Sequence, residues 1–195
     1  MSTGRPSPVH RWKDGQRWRV GDDADVAWIR HGTATGLGIT SGVPPVFEAY
    51  ATVVLPAAPP SQSERYREVL RVLRAQTPDQ AWLLGYLETS SDDDVVFPDA
   101  PRVTLYAGWR YVLVEAGPDQ AARWRAEPRG SARLGPDLLF PVDRAWLVTH
   151  LWDDDRLCVG GPAALIGGVV DALGPVVRRV QVDDEDATPP GRTAL

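Results

Sequence analysis

The sequence predicts an α+β fold: a mixed, mostly antiparallel sheet built from hairpins, with three to four helices packed mainly on one side. Three observations carry this expectation. Apolar runs split by turn residues recur near 10–20, 102–115 and 144–159, as expected of strands joined by short connections. Helical periodicity falls between these pairs, with few of the strand–helix–strand crossovers that build parallel sheets. A chain of 195 residues, 43% of them hydrophobic, is long enough to bury one core. The expected division is a flexible N-terminus at 1–8, one α+β domain over 9–180, and an acidic, disordered tail over 181–195.

The first hairpin is read in "HRWKDGQRWRV", where Asp14-Gly15 tolerates the positive φ that a two-residue turn demands. In "GDDADVAWIRHG", Asp22 or Asp23 can cap a short helix by accepting from its free N–H groups, and Gly32 supplies a left-handed stop. "PPVFEAYATVVLP" is bounded by prolines and rich in β-branched and aromatic residues, which predicts a strand over about 46–55. "SQSERYREVLRVLRAQTP" is the clearest helix. Ser61 and Glu64 form a capping box, Tyr66, Val69, Leu70 and Leu73 recur at helical spacing, and Arg65, Arg67, Glu68, Arg71 and Arg74 form its solvated face.

"AWLLGYLET" reads as a strand interrupted by Gly85, and "RVTLYAGWRYVLVEAG" as a hairpin turning at Ala107-Gly108. Pro118 opens a further helix, since proline suits the first turn, and residues 127–137 read as a mobile loop. "RAWLVTHLW" alternates its residues between two faces, Asp153, Asp154 and Asp155 turn the chain, and "RLCV" returns. A helix follows over "GGPAALIGGVVDALGP", stopped by Gly174-Pro175, and "VVRRVQV" is the last strand. The expected core includes Trp28, Leu70, Leu73, Leu105, Leu113, Leu147, Leu151, Ile166 and Val170.

Composition bounds the function. The net charge of −5 makes nucleic acid an unlikely partner, because phosphate binding needs a basic face. The charge is polarised: Arg5, Arg11, Lys13, Arg17 and Arg19 oppose Asp14 at one end, and Asp183, Asp184, Glu185 and Asp186 oppose Arg192 at the other. The single cysteine excludes an intramolecular disulfide and four-cysteine zinc sites. No window reaches the length of a membrane span, and the opening residues lack the apolar stretch of a signal peptide, so a soluble, cytoplasmic protein without membrane association is expected.

Two classes of function are compatible with the motifs. The first is a non-enzymatic interaction or regulatory module that binds a protein partner through a Trp/Arg-rich surface, since Trp, Tyr and Arg dominate binding hot spots. Its candidate binding residues are Trp12, Trp18, Arg17 and Trp152, drawn from a chain with eight tryptophans. The same Trp/Arg interleaving would suit stacking on bases, but a ribbon with tryptophan on the core and arginine outward produces it equally.

The second class is a metal-assisted hydrolase or transferase near His150 and Asp153–Asp155. Here His150 and Asp154 are the candidate catalytic groups, Glu115 or Asp143 would orient the imidazole, and Asp153 and Asp155 are the candidate metal ligands. Against it, aspartates are turn formers, and acidic clusters recur at 22–25, 92–94 and 183–186. A histidine on an apolar strand face is more often a core residue with satisfied nitrogens. Cys158 reads as a buried thiol. "VGGPAALIGG" matches neither dinucleotide-binding nor P-loop spacing, and no cofactor is expected. The first class is preferred.

The stretches "GDDADVAWIR", "PPVFEAYAT", "VVFPDAPRVTLYAGWRYVLVEAG" and "LWDDDRLCVGGPAALI" are similar to a group of hypothetical proteins from actinobacteria. The resemblance spans about residues 10–190, a whole-chain match under the one-domain reading. It implies a family with no assigned activity and transfers no catalytic residue.

Overall fold

In the computed structural model, which describes residues 9–11, 17–56, 61–77, 79–88, 97, 100–124, 135–151 and 154–188, the expected hairpins join one ten-stranded sheet. The strands are β1 (Val9–Arg11), β2 (Arg17–Val20), β3 (Ala49–Val54), β4 (Trp82–Leu87), β5 (Val103–Leu105), β6 (Trp109–Ala116), β7 (Leu138–Pro141), β8 (Leu147–Thr149), β9 (Arg156–Gly161) and β10 (Val177–Val180). Their order is β1-β2-β6-β4-β7-β8-β9-β3-β10, with β5 also pairing β6. All pairings among the described strands are antiparallel. The helices are α1 (Asp23–Gly32), α2 (Ser61–Gln76), α3 (Pro118–Arg123) and α4 (Ala163–Leu173). No described helix is long and apolar enough to cross a membrane.

Strand alternation divides the apolar residues between two layers that share the sheet. On one face, Val53, Leu84, Val114, Val148 and Val159 meet Val69, Leu73 and Ala121 of α2 and α3, and Leu165, Ile166 and Val169 of α4. On the other, Leu83, Leu113, Phe140 and Leu147 meet Val26 and Ile29 of α1 and Ile39 of a 3-10 turn. The α1 and α2 faces therefore look in opposite directions, and three of the four helices lie on one side. Trp82 and Trp146, both buried, pack edge-to-face with centroids 5.0 Å apart. Trp82 Nε1 donates to Thr77 Oγ1 at 3.1 Å, the partner that a buried indole requires.

Central strands covered on both faces lose the polar half of their alternation. Every residue of β4, β7 and β9 is buried. The sequence reading passes over β7, because "LLFP" is too short to show a period and follows a loop-like stretch. Gly85 sits in mid-strand because its cross-strand partner is Leu138, whose Cβ would lie 2.7 Å from a Cβ at Gly85.

Several expectations are corrected in detail. Asp22 does cap α1, accepting from Ala24 N–H while Asp25 accepts from Asp22 N–H. The helix, however, ends on Thr33 in extended geometry, φ −100°. Gly32 is instead needed for close approach, since its Cβ would stand 2.4 Å from Pro44 Cβ. Trp28, Leu151 and Val170 are half-buried. The chain leaves the sheet after Thr149, and α4 turns Val169 rather than Val170 inward. Residues 181–188 of the expected tail are docked: Ala187 is buried and donates its N–H to Leu37 O at 3.0 Å, and Arg178 donates to Thr188 O at 2.9 Å. Arg156 also donates to Thr188, through Nη1 to Oγ1 at 3.2 Å. The 1–8 segment, the Asp14-Gly15 turn, residues 127–134 of the expected loop and residues 189–195 lie outside the described residues, while residues 135–137 of that loop are buried, with Pro136 O accepting from the Tyr66 hydroxyl and Asp137 N–H donating to Gly85 O.

Candidate functional site

The structure sorts the predicted site residues into two separate parts of the sheet, β2–β6 and β8–β9. Arg17 and Trp18 of β2 and Glu115 of β6 line one cleft of about 570 Å³, together with Arg74 of α2, Asp119 of α3 and the Asp79–Ala81 turn. Trp18 packs against the α2–α3–α4 layer and meets Trp124 edge-on, centroids 5.1 Å apart, while Arg17 is exposed.

Arg19 stands cross-strand from Glu115. It donates through Nε to Glu115 Oε2 and through Nη1 to Asp25 Oδ2, the latter at 3.1 Å. Burial works against this guanidinium, but the hydrogen bonds and charges of Asp25 and Glu115 outweigh it and raise its pKa above the ordinary value. Arg74 Nη1 donates to Asp119 Oδ1 at 2.8 Å. Gln80 Nε2 donates to Asp143 Oδ2 at 2.8 Å.

After these pairings the cleft retains one charge of each sign. Among the described residues, neither the Arg17 guanidinium nor the Asp79 carboxylate has an ion-pair partner. Two further polar atoms of lining residues, Trp18 Nε1 and Gln80 Oε1, are buried with no hydrogen-bond partner among the described residues.

His150 and Asp154 lie elsewhere. β6 and β8 are separated by β4 and β7, about 14 Å at the usual strand spacing. Glu115 is thus bound to Arg19 and does not orient His150, and Asp143 is engaged by Gln80 and by Ala145 N–H. His150 Nε2 lies 2.7 Å from the Asp154 backbone oxygen, and the His150 backbone N–H donates to Asp137 O at 2.7 Å. The Asp154 carboxylate lies 3.4 Å from Arg156 Nε. Burial raises its pKa; Arg156 and His150 pull it down, Asp155 pushes it up, and the net shift is upward. Asp155 uses its backbone oxygen to receive Leu55 N–H at 2.7 Å.

Among the described residues, no group of three or more His, Cys, Asp and Glu side chains is placed to hold a metal ion. Cys158 is buried and its thiol is pushed up to about 12, far from the thiolate that reactivity requires. Trp12, Trp152 and Asp153 lie outside the described residues.

One aromatic and arginine surface escapes the sequence reading. Arg144 lies over the Trp28 ring, 5.7 Å from its centroid, and Trp28 packs edge-on to Phe47 and Phe140 at 6.0 and 5.6 Å. Trp28 comes from α1, Phe47 from the segment before β3, Phe140 from β7 and Arg144 from the turn after it, and no local spacing joins Trp28 and Phe47 to the other two.

No family model, curated protein or solved structure matches the chain.

Proposed function

We propose that this protein is a non-enzymatic interaction module that binds a protein partner at the cleft formed by Arg17, Trp18 and the Arg19–Glu115 pair. The observation that carries this reading is that Arg17 and Trp18, adjacent on β2, both line one open cleft of about 570 Å³, within the range of functional pockets. The residue types are those of binding hot spots. The alternative, metal-assisted hydrolysis or group transfer at His150, has less support: the imidazole nitrogen meets a backbone oxygen, and Glu115 is committed to Arg19. The net charge of −5 favours a protein over a nucleic acid. The single cysteine favours a reducing compartment, the cytoplasm.

Affinity capture from source-cell lysate tests the proposal. The wild-type chain and a distant charge-reversal control, Arg179→Glu, should retain the same partner in stoichiometric amount, and Arg17→Glu should lose it. Retention of that partner by Arg17→Glu, or no stoichiometric partner at all, contradicts it.

A further inference from the structure

We infer that the cleft selects a peptide segment of mixed charge, with Arg17 receiving its acidic side chain and Asp79 its basic one. This inference rests on the reading of the cleft as a partner-binding site and names what that site recognises.

The charge pattern of the cleft comes first. Arg19 is committed to Glu115 and Asp25, and Arg74 to Asp119. These pairs neutralise each other and form its walls. Arg17 and Asp79, both exposed, are left without an ion-pair partner among the described residues. A purely acidic ligand would satisfy Arg17 and meet repulsion at Asp79; a purely basic one would do the reverse. Only a ligand with both signs satisfies both, which is specificity by repulsion as well as attraction.

The second observation distinguishes a peptide from a simple ion. Trp18 Nε1 is a donor without an acceptor, and Gln80 Oε1 an acceptor without a donor, among the described residues. The other half of the Gln80 amide is engaged by Asp143, so the free group is the oxygen. Unmade hydrogen bonds of buried groups carry a desolvation cost. A peptide backbone carries the complement of both, a carbonyl for the indole N–H and an amide N–H for the Gln80 oxygen, and it reaches these buried atoms only when the side chains that cover them shift.

The test uses the full-length chain and three blocked peptides of equal length, bearing Glu and Lys, two Glu, or two Lys. Each is titrated while the indole N–H resonance of Trp18 is followed by NMR, assigned with Trp18→Phe. The mixed peptide should bind tightest and move that resonance together with the Asp79, Gln80 and Asp119 amides. Arg17→Glu should weaken it roughly fivefold, the scale of an exposed ion pair, and turn the preference to the two-Lys peptide. Asp79→Arg should turn the preference to the two-Glu peptide. Equal binding of all three peptides, or a preference unchanged by either variant, overturns the inference.

The two levels fail separately. Capture of a partner that depends on Arg17, without a mixed-peptide preference, overturns the ligand class and leaves the module. Capture that ignores Arg17 overturns both.

Discussion

Arg74 Nη1 donates to Asp119 Oδ1 at 2.8 Å, joining α2 to α3 on the wall of the cleft. Both side chains are well exposed, 58% and 62%, so water competes for each and the pair contributes little. Arg74→Ala should therefore change unfolding free energy by less than about 1 kcal/mol, read from the urea midpoint at constant slope. A larger loss would mean that the wall is held by this pair and not by the apolar contacts beneath it.

The β5–β6 turn stores backbone strain. Tyr106 and Ala107 have φ of 43° and 58°, a region that costs a side-chain-bearing residue energy. Tyr106 is held there by its hydroxyl, which donates to Gly42 O at 2.9 Å. Ala107 is exposed and has no such anchor. Ala107→Gly should stabilise the fold by about 0.5 to 1 kcal/mol, relief of strain exceeding the added chain entropy. A lower melting temperature for this variant would contradict the assignment of strain.

Asp154 should make the protein less stable as pH rises. Its folded pKa is raised, chiefly by burial, so between the unfolded and folded values the native state holds the extra proton. Its contribution is complete below the unfolded pKa, about 4, and is lost as pH rises through the folded value. Asp154→Asn removes this loss. The stability difference between variant and wild type should move in favour of the variant from about pH 4 to pH 7. Movement in the opposite direction would show a carboxylate held in its charged form, as a bound cation would require.

Cys158 should act at the other end of the scale. Burial first, opposed by Arg156, places its thiol pKa at about 12 against an ordinary value of 9.0. The folded chain keeps a proton that the unfolded chain loses, so stability falls with rising pH between those values by about 1.4 kcal/mol per unit. Cys158→Ala should lack this slope. Native protein at pH 8 should resist a thiol reagent until it unfolds, and rapid labelling of the native chain would contradict the burial.

What could be read in advance follows the range of the interaction involved. α2 was legible because Tyr66, Val69, Leu70 and Leu73 repeat within one helix, and the β5–β6 hairpin because its turn lies inside one short stretch. β7 was not, because burial on both faces erases alternation and leaves only "LLFP". Gly32 looked like a helix stop because its real constraint is Pro44, which is remote in sequence. The cleft shows the same limit. Arg17 and Trp18 stand out from local composition, whereas the partner of Glu115 is Arg19, 96 residues away in sequence, and not His150. Asp79, Gln80 and Arg74 join them only through the order of strands and helices.

Hydrogen exchange of the partner complex tests the central claim most directly, because it reports where the partner sits. The account predicts slowed exchange at the amides of Arg17–Arg19, Asp79–Trp82 and Glu115–Gln120, with the 149–156 hairpin and the Trp28–Arg144 surface unchanged. Protection confined to that hairpin or that surface, with the cleft exchanging as in the free chain, would contradict it.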